Sequence, residues 1–269
     1  MLKDKQHFCS DKMEPSDNML GALGNRYKTD KITEHGYHRF YHDVLQHLRD
    51  KSFNMMEIGV ERFKSIDMWK VYFPLAKIYG IDINAEYNDE RLRIFRCDQS
   101  NKEQLKNVLK QMNTKCDSPR GAQHLGRSQG ASSLCDFIND DGSHIPEHQL
   151  LTFDIFFNEL LNDGGVYIIE GIETSYWKRK ALYGYSTEYG YGHPNSIIEK
   201  FKYVLDFLNA KYLSQEDKQL LLKKVNFLSL STLACISSIT FAQNCIIIKK
   251  KHQYEYTYSH GPYGFSDHV

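Results

Sequence analysis

The sequence predicts an α/β fold built on a mostly parallel β-sheet, and the alternation of two kinds of segment supports this prediction. Short apolar segments alternate with longer amphipathic ones along most of the chain. A strand followed by a helix, repeated several times, is typical of βαβ units whose sheet carries helices on both faces. With 269 residues, 41% of them hydrophobic, the chain can bury one sizeable core, so we expect one main domain.

Five apolar segments are predicted to form the parallel strands. In chain order they read SFNMMEIGV, AKIYGIDI, RLRIFRCD, LCDFINDD and GGVYIIEG. The spacing of apolar residues predicts helices over 38–50, 64–72, 101–112 and 147–161. Near the C-terminus, SSITFAQNCIIIKK contains two strand-like runs around a turn at 242–244, which predicts an antiparallel hairpin at the edge of the sheet.

Three segments fall outside this alternation. Residues 114–133 are rich in Gly, Ser and Arg without an apolar period, which predicts a flexible surface insertion. Residues 176–193 are aromatic and glycine-rich and follow the fifth strand, at the edge where open α/β sheets bind ligands. The tail, 251–269, is polar and aromatic, so a lid over the site and a disordered tail both stay open.

Composition argues against several classes of function. Lys plus Arg equals Asp plus Glu at 34 each, and no long basic stripe is present, so we do not expect a nucleic-acid partner. We find neither the apolar region of a secretory signal nor an apolar run of membrane-spanning length, so we expect a cytoplasmic protein. Six cysteines without a CxxC pair predict reduced thiols rather than a zinc site or a disulfide framework.

Acidic and polar residues follow almost every predicted strand. The strand ends carry Glu57 and Gly59, Asp82, Asp98 and Gln99, Asp140 and Asp141, and Glu170. Because the carboxyl ends of parallel strands face one crevice, we expect these residues to lie close together. Gathering like charges in a crevice costs free energy unless a ligand or a cation offsets them. The sequence therefore predicts a binding site at this edge of the sheet.

The position of Asp82 favours a ligand that contains a ribose. Asp82 follows Glu57 by 25 residues, close to the separation of roughly 20 residues at which an acid accepts hydrogen bonds from ribose hydroxyls. The turn after the first strand reads GVERFK, without the G-x-G-x-x-G that a pyrophosphate needs, which argues against a dinucleotide. A turn or helix-capping role is the structural alternative for Asp82.

Several of these segments together resemble a known family. MMEIGV, SIDMWKVYFPLAKIYGIDI, CDQS, INDDGSH and GGVYIIEGIETSYW are similar to class I S-adenosylmethionine-dependent methyltransferases, in particular the mycinamicin-type macrolide-sugar O-methyltransferases. The likeness runs from about residue 27 to residue 177, and the C-terminal hairpin is consistent with it. It implies a Rossmann-like fold whose sheet has seven strands, the last of them antiparallel.

The resemblance also implies a cofactor, a metal and a base. S-adenosylmethionine would bind at the strand ends, a divalent metal would bind the DDGSH aspartate and an acidic pair after the fifth strand, and the DDGSH histidine would be the base. The corresponding positions are, for the cofactor, Glu57, Gly59, Asp82, Asp98, Gln99 and Asp140, for the metal Asp141 and Glu170, and for the base His144.

The chemistry of such a transfer suits these residue types. A sugar hydroxyl is a very weak acid, so its attack on a sulfonium methyl group needs a base and gains from a Lewis-acidic metal. Asp141 and His144 lie three positions apart, so one can hold a cation while the other faces the substrate oxygen. Mg²⁺ prefers oxygen ligands such as Asp141 and Glu170, and histidine is well suited to accept a proton near neutral pH. Structural roles in the turn are the alternative for His144 and for Asp140.

Two departures from the family pattern concern the cofactor and the metal. The turn after the first strand carries Phe63 and Lys64 where the family has glycines, which affects how closely the backbone can pass the cofactor. After the fifth strand, the expected Glu-Asp pair is Glu170 and Gly171, with Glu173 as a substitute ligand. The N-terminal segment RYKTDKITEHGYHRFY resembles a family motif that covers the site, although a solvated turn explains the same residues.

Tyrosines in the loop after the fifth strand are candidate contacts to the acceptor. Rigid aromatic faces suit the apolar faces of sugar rings at a small cost in conformational entropy. These candidates are Tyr183, Tyr185, Tyr189 and Tyr191. A tyrosine-rich loop that packs on its own domain is the structural alternative.

These observations together predict an O-methyltransferase that acts on a hydroxyl of a sugar or of a glycosylated small molecule or glycan. Its cofactor would be S-adenosylmethionine, with Mg²⁺ as the candidate metal. The expected layout is a helical segment over the site at 1–50, a methyltransferase domain at 51–250 and a tail at 251–269. A degenerate cofactor-binding module, an oxidative enzyme similar to the cephalosporin hydroxylases and a homo-oligomer stay open as alternatives.

Overall fold

The computed structural model describes residues 19–113, 135–182 and 185–258. For 180–182, 185–186 and 257–258 it describes the backbone alone. The predicted insertion at 114–133, Tyr183 and the tail from residue 259 lie outside the described residues.

One eight-stranded sheet forms the centre of the domain. Ten strands are described in all, eight in this sheet and two in a separate pair. They are β1 Asn54–Ile58, β2 Lys77–Asp82, β3 Tyr87–Asn88, β4 Leu92–Arg96, β5 Cys135–Asp140, β6 Leu161–Glu170, β7 Lys180–Leu182, β8 Tyr185–Thr187, β9 Ile236–Ala242 and β10 Cys245–Lys250. The sheet has the order β3-β4-β2-β1-β5-β6-β10-β9, and β7 and β8 form a separate antiparallel pair. From β4 to β6 neighbouring strands are parallel, whereas β10 pairs antiparallel with both β6 and β9.

The predicted strands and hairpin are confirmed. The five apolar segments form β1, β2, β4, β5 and β6, and the hairpin is β9 and β10 with Asn244 in its turn at a φ of 61°. Seven strands match the sheet that the family resemblance implies. The eighth, β3, has two residues and pairs with β4 at the edge of the sheet, and two residues are too few to give a periodic signal.

Helices cover both faces of the sheet. They are α1 Met19–Tyr27, α2 Asp30–Thr33, α3 His38–Leu45, α4 Lys64–Tyr72, α5 Lys102–Asn113, α6 Pro146–Glu159, α7 Ile197–Leu208, α8 Gln215–Lys224, α9 Leu230–Cys235 and α10 Glu255–Tyr258, with single 3-10 turns at Gln46–Leu48, Ile172–Tyr176 and Ala210–Tyr212. Residues of α1 to α4 form one buried cluster with Met55, and residues of α5 to α9 form another with Met56. Neighbouring strand residues therefore serve opposite faces, as the pleat requires.

Backbone hydrogen bonds hold the turns after the central strands side by side. The N–H of Gly59 donates to Ile81 O at 2.9 Å, and the N–H of Asp141 donates to Ile58 O at 2.9 Å. Gly59 has a φ of +81°, and a Cβ atom there would overlap the carbonyl oxygen of Asp141. Glycine at this position thus allows the turns after β1 and β5 to touch. The predicted strand-end residues are thereby gathered at one edge of the sheet.

Two further expectations concern membranes and cysteines. In the part of the chain that the structure describes, no helix is long and apolar enough to cross a membrane. Cys97, Cys135, Cys235 and Cys245 are free thiols, and all but Cys235 are buried. The buried Cys97, Cys135 and Cys245 therefore pack in the core, and Cys9 and Cys116 lie outside the described residues.

Candidate functional site

Three carboxylates from three strand ends meet around one lysine. The Nζ atom of Lys31 lies 2.5 Å from Asp141 Oδ2, 2.8 Å from Glu170 Oε2 and 3.2 Å from Glu57 Oε1. Lys31, Glu57 and Glu170 are almost completely buried, whereas the side chain of Asp141 is 24% exposed. The acids therefore converge as the sequence predicts, and a cation of the chain itself lies among them. We call these four residues the ion cluster.

Packing of the N-terminal segment positions Lys31 in the ion cluster. Lys31 belongs to the one-turn helix α2, and α1 packs closely over that helix. A Cβ atom on Gly24 of α1 would overlap the side chain of Ile32, so glycine permits this close approach. The N–H of Tyr37 donates to Lys31 O at 2.8 Å and closes the turn that follows α2. The sequence analysis noted Lys31 as part of an N-terminal motif but did not place it among the acids.

Two of the three carboxylates in the ion cluster, Glu170 and Glu57, also have neutral partners. The hydroxyl of Tyr41 donates a short hydrogen bond to Glu170. Glu57 accepts from the hydroxyl of Ser65 at 3.0 Å and from the indole nitrogen of Trp69 at 3.5 Å. Tyr41 and Ser65 thus bind the oxygens of Glu170 and Glu57 that do not face Lys31, whereas Trp69 shares Oε1 of Glu57 with Lys31.

Burial and mutual charge set the protonation of the ion cluster. Burial alone would lower the pKa of Lys31, but the charges of Asp141, Glu170 and Glu57 raise it well above its ordinary value. Burial raises the pKa of Glu57, and burial together with the charge of Asp141 raises the pKa of Glu170. Burial would also raise the pKa of Asp141, but the charges of Lys31 and His144 lower it. One ammonium cannot neutralise three carboxylates, so the pKa values of Glu57 and Glu170 are raised while that of Asp141, which lies next to Lys31 and His144, is lowered.

His144 stands next to the ion cluster in a left-handed conformation. Its φ is 57°, and its Nε2 atom lies 3.7 Å from Asp141 Oδ1. The side chain is 17% exposed, and its Nδ1 atom is buried with no hydrogen-bond partner within the described ranges. The hydroxyl of Thr174 donates to the carbonyl oxygen of His144 at 2.8 Å and fixes the turn. The imidazole is therefore held beside a carboxylate with one nitrogen directed at it.

Gly171 makes room for this imidazole. Gly171 has a φ of +64°, and a Cβ atom on it would overlap the ring of His144. The sequence analysis treated Gly171 as the loss of one metal ligand. The geometry adds that any side chain at this position would compete with His144 for the same space.

Asp140 and Gln99 form hydrogen bonds that hold the turn after β5. The amide of Gln99 donates to Asp140 at 2.8 and 3.0 Å and accepts from the N–H of Ser143 at 2.9 Å. Tyr167 donates to Asp140 at 3.1 Å, and Asp140 is completely buried. Burial raises the pKa of Asp140 to about 7, although the hydrogen bonds from Gln99 and Tyr167 oppose the shift. These contacts match the turn-orienting role that the sequence left open for Asp140.

Asp82 joins two neighbouring turns. One of its oxygens accepts from the N–H groups of Val60 and Glu61 at 3.1 and 3.0 Å. The other accepts from the N–H groups of Asn84 and Ala85 at 2.8 and 3.0 Å. Asp82 thus has the turn role that was its structural alternative, and it fixes the shape of the loop beside which a ribose would lie.

Asp98 organises the turn after β4. Its carboxylate accepts from the N–H of Ser100 at 2.8 Å and from the hydroxyl of the same residue at 2.7 Å. Asp98 and Asp82 are both half-buried. Among the candidate cofactor residues these two acids are the more exposed, whereas Glu57, Gln99 and Asp140 are buried.

The turn after β1 takes an unusual backbone path. Glu61 and Phe63 have φ values of 43° and 62°, in the left-handed region that glycine adopts most easily. The family has glycines in this turn, so the chain keeps a left-handed turn without glycine. Phe63 precedes α4, which begins at Lys64, so both residues that depart from the family pattern shape the entry to this helix.

Of the four candidate tyrosines, the structure describes the side chains of two, Tyr189 and Tyr191. Tyr183 lies outside the described residues, and Tyr185 is described by its backbone in β8. The hydroxyl of Tyr189 donates to Glu147 at 2.5 Å, while Tyr191 is 89% exposed. Tyr189 therefore packs on its own domain, which was the alternative for this loop.

A cleft that the sequence analysis missed opens beside the ion cluster. Its volume is about 720 Å³. It is lined by Glu34, His35, Ile172, Glu173, Tyr176, Ile198, Lys202, Phe241, Ala242, Gln243 and Asn244. These residues come from the N-terminal segment, the turn after β6, α7 and the β9–β10 hairpin, so no single sequence motif could reveal the cleft.

Tyr37 connects the cleft to the ion cluster. The side-chain amide of Asn244, which lines the cleft, donates to the hydroxyl of Tyr37 at 3.0 Å. The N–H of Gly171 donates to the same hydroxyl at 3.3 Å. One carboxylate oxygen of Glu173 is buried without a hydrogen-bond partner among the residues described. Asn244 and Tyr37 thus link the cleft to Gly171, the residue that follows Glu170 of the ion cluster.

The two candidate metal ligands lie close together, but they share the ammonium of Lys31. Both carboxylates contact Nζ, which lies where a cation held between them would lie. Over residues 19–113, 135–182 and 185–258 no group of three or more His, Cys, Asp or Glu side chains is arranged to hold a metal ion. In this arrangement the residues do not fit a divalent ion, because the position of the ion is filled by Lys31.

The strand order, the antiparallel β10 and the site at the carboxyl ends of β1, β2, β4 and β5 define the class I S-adenosylmethionine-dependent methyltransferase fold. No protein-family model matches the chain. Among solved structures, MycE methyltransferase from the mycinamycin biosynthetic pathway, in complex with Mg and SAH, matches with a TM-score of 0.67 and 22% identity. The match covers 90% of this chain and 54% of MycE.

Curated relatives carry the same likeness at the level of sequence. The chain is 32% identical over 186 residues to the L-olivosyl-oleandolide 3-O-methyltransferase of Streptomyces antibioticus. It is 30% identical over 168 residues to the mycinamicin VI 2''-O-methyltransferase of Micromonospora griseorubida. The matches cover 65% and 59% of this chain but 40% and 37% of those relatives. The predicted resemblance to the mycinamicin-type branch is therefore confirmed, over about two fifths of the length of these relatives.

Proposed function

We propose that this protein is an S-adenosylmethionine-dependent O-methyltransferase that acts on a sugar hydroxyl of a glycosylated small molecule or glycan. One observation carries the proposal: in a class I methyltransferase fold, the imidazole of His144 stands at the carboxyl ends of the strands, 3.7 Å from Asp141. The names of the relatives support the acceptor class, because each of the two curated relatives above is a sugar O-methyltransferase.

The turns after the strands would hold the cofactor. Asp82 and Asp98, which are half-buried, are the candidates for direct contact with its hydroxyl and amino groups. Gly59 allows the turn after β1 to lie against the turn after β5. Glu57, Gln99 and Asp140 would act by shaping these turns, since they are buried as well as hydrogen-bonded within the protein. When bound, the cofactor supplies an electrophilic methyl group on a positively charged sulfur.

His144 would take the proton of the acceptor hydroxyl. The oxygen of the acceptor forms a bond to the methyl carbon while the bond from that carbon to sulfur breaks, and the proton moves to Nε2 of His144. The ionised Asp141 beside this nitrogen stabilises the imidazolium that results. The products are the methyl ether and S-adenosylhomocysteine.

The cleft beside Gly171 is the candidate binding site for the acceptor. Ile172, Tyr176 and Phe241 give it apolar surface, and Gln243 and Asn244 add side-chain amides that can bind hydroxyl groups. Such a mixture suits sugar rings, which have apolar faces and polar edges. Tyr189 and Tyr191 remain proposed contacts from the neighbouring loop.

Magnesium accompanies S-adenosylhomocysteine in the MycE structures. A magnesium ion on Asp141 and Glu170 of this chain would have to displace the ammonium of Lys31. Neither the degenerate binding module nor the oxidative enzyme is favoured by an observation in this protein, so the methyltransferase is the function we propose.

Methyl transfer can be tested directly with the His144→Ala variant. The wild-type chain is expected to transfer labelled methyl groups from S-adenosylmethionine to rhamnosides or nucleotide sugars. His144→Ala should lower this rate by about a hundredfold or more, the scale of general-base catalysis. Calorimetry should give an unchanged dissociation constant for the cofactor.

A matched control is His42→Ala, since His42 belongs neither to the ion cluster nor to the lining of the cleft. It should keep wild-type turnover. Wild-type turnover in His144→Ala would remove this histidine from the mechanism, and failure of the wild type to bind the cofactor would reject the methyltransferase proposal as a whole.

A further inference from the structure

We propose that Lys31 is the resident cation of this site and supplies the positive charge that a divalent metal would otherwise supply to its carboxylates. The catalytic part of this inference rests on the proposed function, whereas its metal-binding part does not. The first support is geometric: an ammonium group has three N–H donors, and Nζ has three carboxylate oxygens within 3.2 Å.

Two of the remaining oxygens of the ion cluster have hydrogen-bond partners as well. Those of Glu170 and Glu57 that face away from Nζ accept hydrogen bonds from Tyr41 and Ser65. Mg²⁺ demands near-octahedral oxygen ligands at about 2.0 to 2.1 Å. Binding it here would break these bonds and expel a buried ammonium that carries the charge of the site.

Gly171 removes the next available ligand. A carboxylate at this position would complete an acidic pair with Glu170, but a Cβ atom there would overlap His144. The chain thus has a buried lysine among its acids and a glycine where an acid would stand. These two features compensate one another, since a site with fewer carboxylates needs less positive charge.

Lys31 would act on the reaction through Asp141 and is therefore a positioning residue. Its Nζ atom binds Asp141 Oδ2, and the other oxygen of Asp141 faces Nε2 of His144. The ammonium fixes the orientation of Asp141, so that Asp141 can stabilise a positively charged imidazole.

The decisive experiment measures metal binding in the full-length wild type and in Lys31→Met, which keeps the length of the side chain without its charge. Mn²⁺ is the probe, and its binding is followed by calorimetry and by electron paramagnetic resonance. The wild type should bind no Mn²⁺ at this site, and its melting temperature should not change with Mn²⁺. Lys31→Met should gain a Mn²⁺ site and melt at a higher temperature when the ion is added, because the cluster then lacks a cation.

Lys250→Met is the matched control. Lys250 is also buried, but its ammonium contacts three backbone carbonyl groups rather than carboxylates. This variant should lose stability without gaining a Mn²⁺ site. Gain of a metal site therefore distinguishes a cation that replaces a metal from a lysine with a merely structural role.

Turnover supplies a second readout. Wild-type methyl transfer should be unaffected by exhaustive chelation, whereas Lys31→Met should need added Mg²⁺ or Mn²⁺ to regain its rate. A Mn²⁺ site in the wild type, a loss of wild-type turnover of about tenfold or more on chelation, or a folded Lys31→Met that binds no metal would each overturn the inference. If Lys31→Met does not fold, the wild-type binding and chelation results decide alone. If no acceptor is methylated, the calorimetric and resonance results still stand.

Discussion

At the scale of single residues, Gly171 and His144 depend on each other. His144 adopts a left-handed backbone conformation, and its ring lies where a side chain of residue 171 would lie. The N–H of Gly171 in turn donates to Tyr37, whose hydroxyl also receives a hydrogen bond from Asn244. A change at Gly171 therefore reaches the candidate base, the N-terminal segment and the acceptor cleft at once.

Substitution of Gly171 by alanine tests this dependence. The positive φ should cost about 1 to 2 kcal/mol of stability, and the added Cβ should push the ring of His144 away from Asp141. We expect methyl transfer to fall by about tenfold or more, since small displacements of catalytic groups have effects of this size. Chemical unfolding and turnover are the measurements.

Gly192→Ala is the control for backbone strain alone. Gly192 has a φ of +75°, and a Cβ atom on it would meet no atom within 4 Å. It should lose a similar amount of stability and keep its methyl transfer. Equal turnover in both variants would mean that the ring of His144 tolerates a neighbour at position 171.

Some of the site residues could be predicted from the sequence, and the reason is geometric. Glu57, Asp141 and Glu170 end parallel strands, and parallel strands bring their carboxyl ends to one edge. Lys31 precedes the first of these strands and reaches the acids through packing of α1 and α2, for which the sequence has no periodic signal. Gly171 was noticed as a missing ligand, but the overlap with His144 depends on three-dimensional distances.

At the scale of elements, the buried Lys250 caps the C-terminal carbonyl groups of helix α6. The ammonium of Lys250 in β10 donates to the carbonyl oxygens of Phe157, Asn158 and Leu161 at 2.9, 3.1 and 2.8 Å. The last carbonyl groups of a helix have no partners within it. Lys250 satisfies two of them together with a carbonyl of β6, and so joins α6, β6 and β10.

Loss of this lysine should destabilise the protein. Lys250→Met leaves three buried carbonyl oxygens without their donor, and we expect the free energy of unfolding to fall by about 2 to 4 kcal/mol. Lys249→Met is the control, because Lys249 is exposed on the same strand; it should change stability by less than about 0.5 kcal/mol. Similar values for the two variants would show that the carbonyl groups find other partners.

The sequence predicted helices correctly where the apolar period is strong, and it missed helices whose main signal is a serine N-cap. Helix α4 has the predicted bounds, 64–72. The analysis proposed no helices over 197–235, where α7, α8 and α9 lie. Each of these begins after a serine whose hydroxyl accepts from the backbone three residues on, at Ser196, Ser214 and Ser229. A serine N-cap is a recognisable start signal, so these helices were accessible to sequence analysis and were overlooked.

At the scale of the whole molecule, the sheet separates two hydrophobic clusters, and polar groups concentrate at one of its edges. The side chains of α1 to α4 bury one face and those of α5 to α9 bury the other. The ion cluster, Asp140 and Gln99 lie at the edge of the sheet where the parallel strands have their carboxyl ends. Burial at this edge gives several carboxyl groups raised pKa values, so the stability of the whole fold should depend on pH.

Asp140 makes the most specific contribution to that dependence. Burial raises its pKa to about 7 in the folded protein, whereas an unfolded aspartate has a pKa of about 4. Between these values the folded state binds more protons than the unfolded state, so stability falls as pH rises. The contribution is fully present below about pH 4 and is lost as pH rises through about 7, by about 4 kcal/mol at most.

Denaturant unfolding between these pH values should show the wild type losing stability relative to Asp140→Asn, which keeps the shape of the side chain without its charge. Glu90→Gln, on the exposed surface, should keep a constant difference from the wild type. A constant difference for Asp140→Asn as well would mean that Asp140 stays ionised in the folded protein, and the hydrogen bonds from Gln99 and Tyr167 would then outweigh its burial.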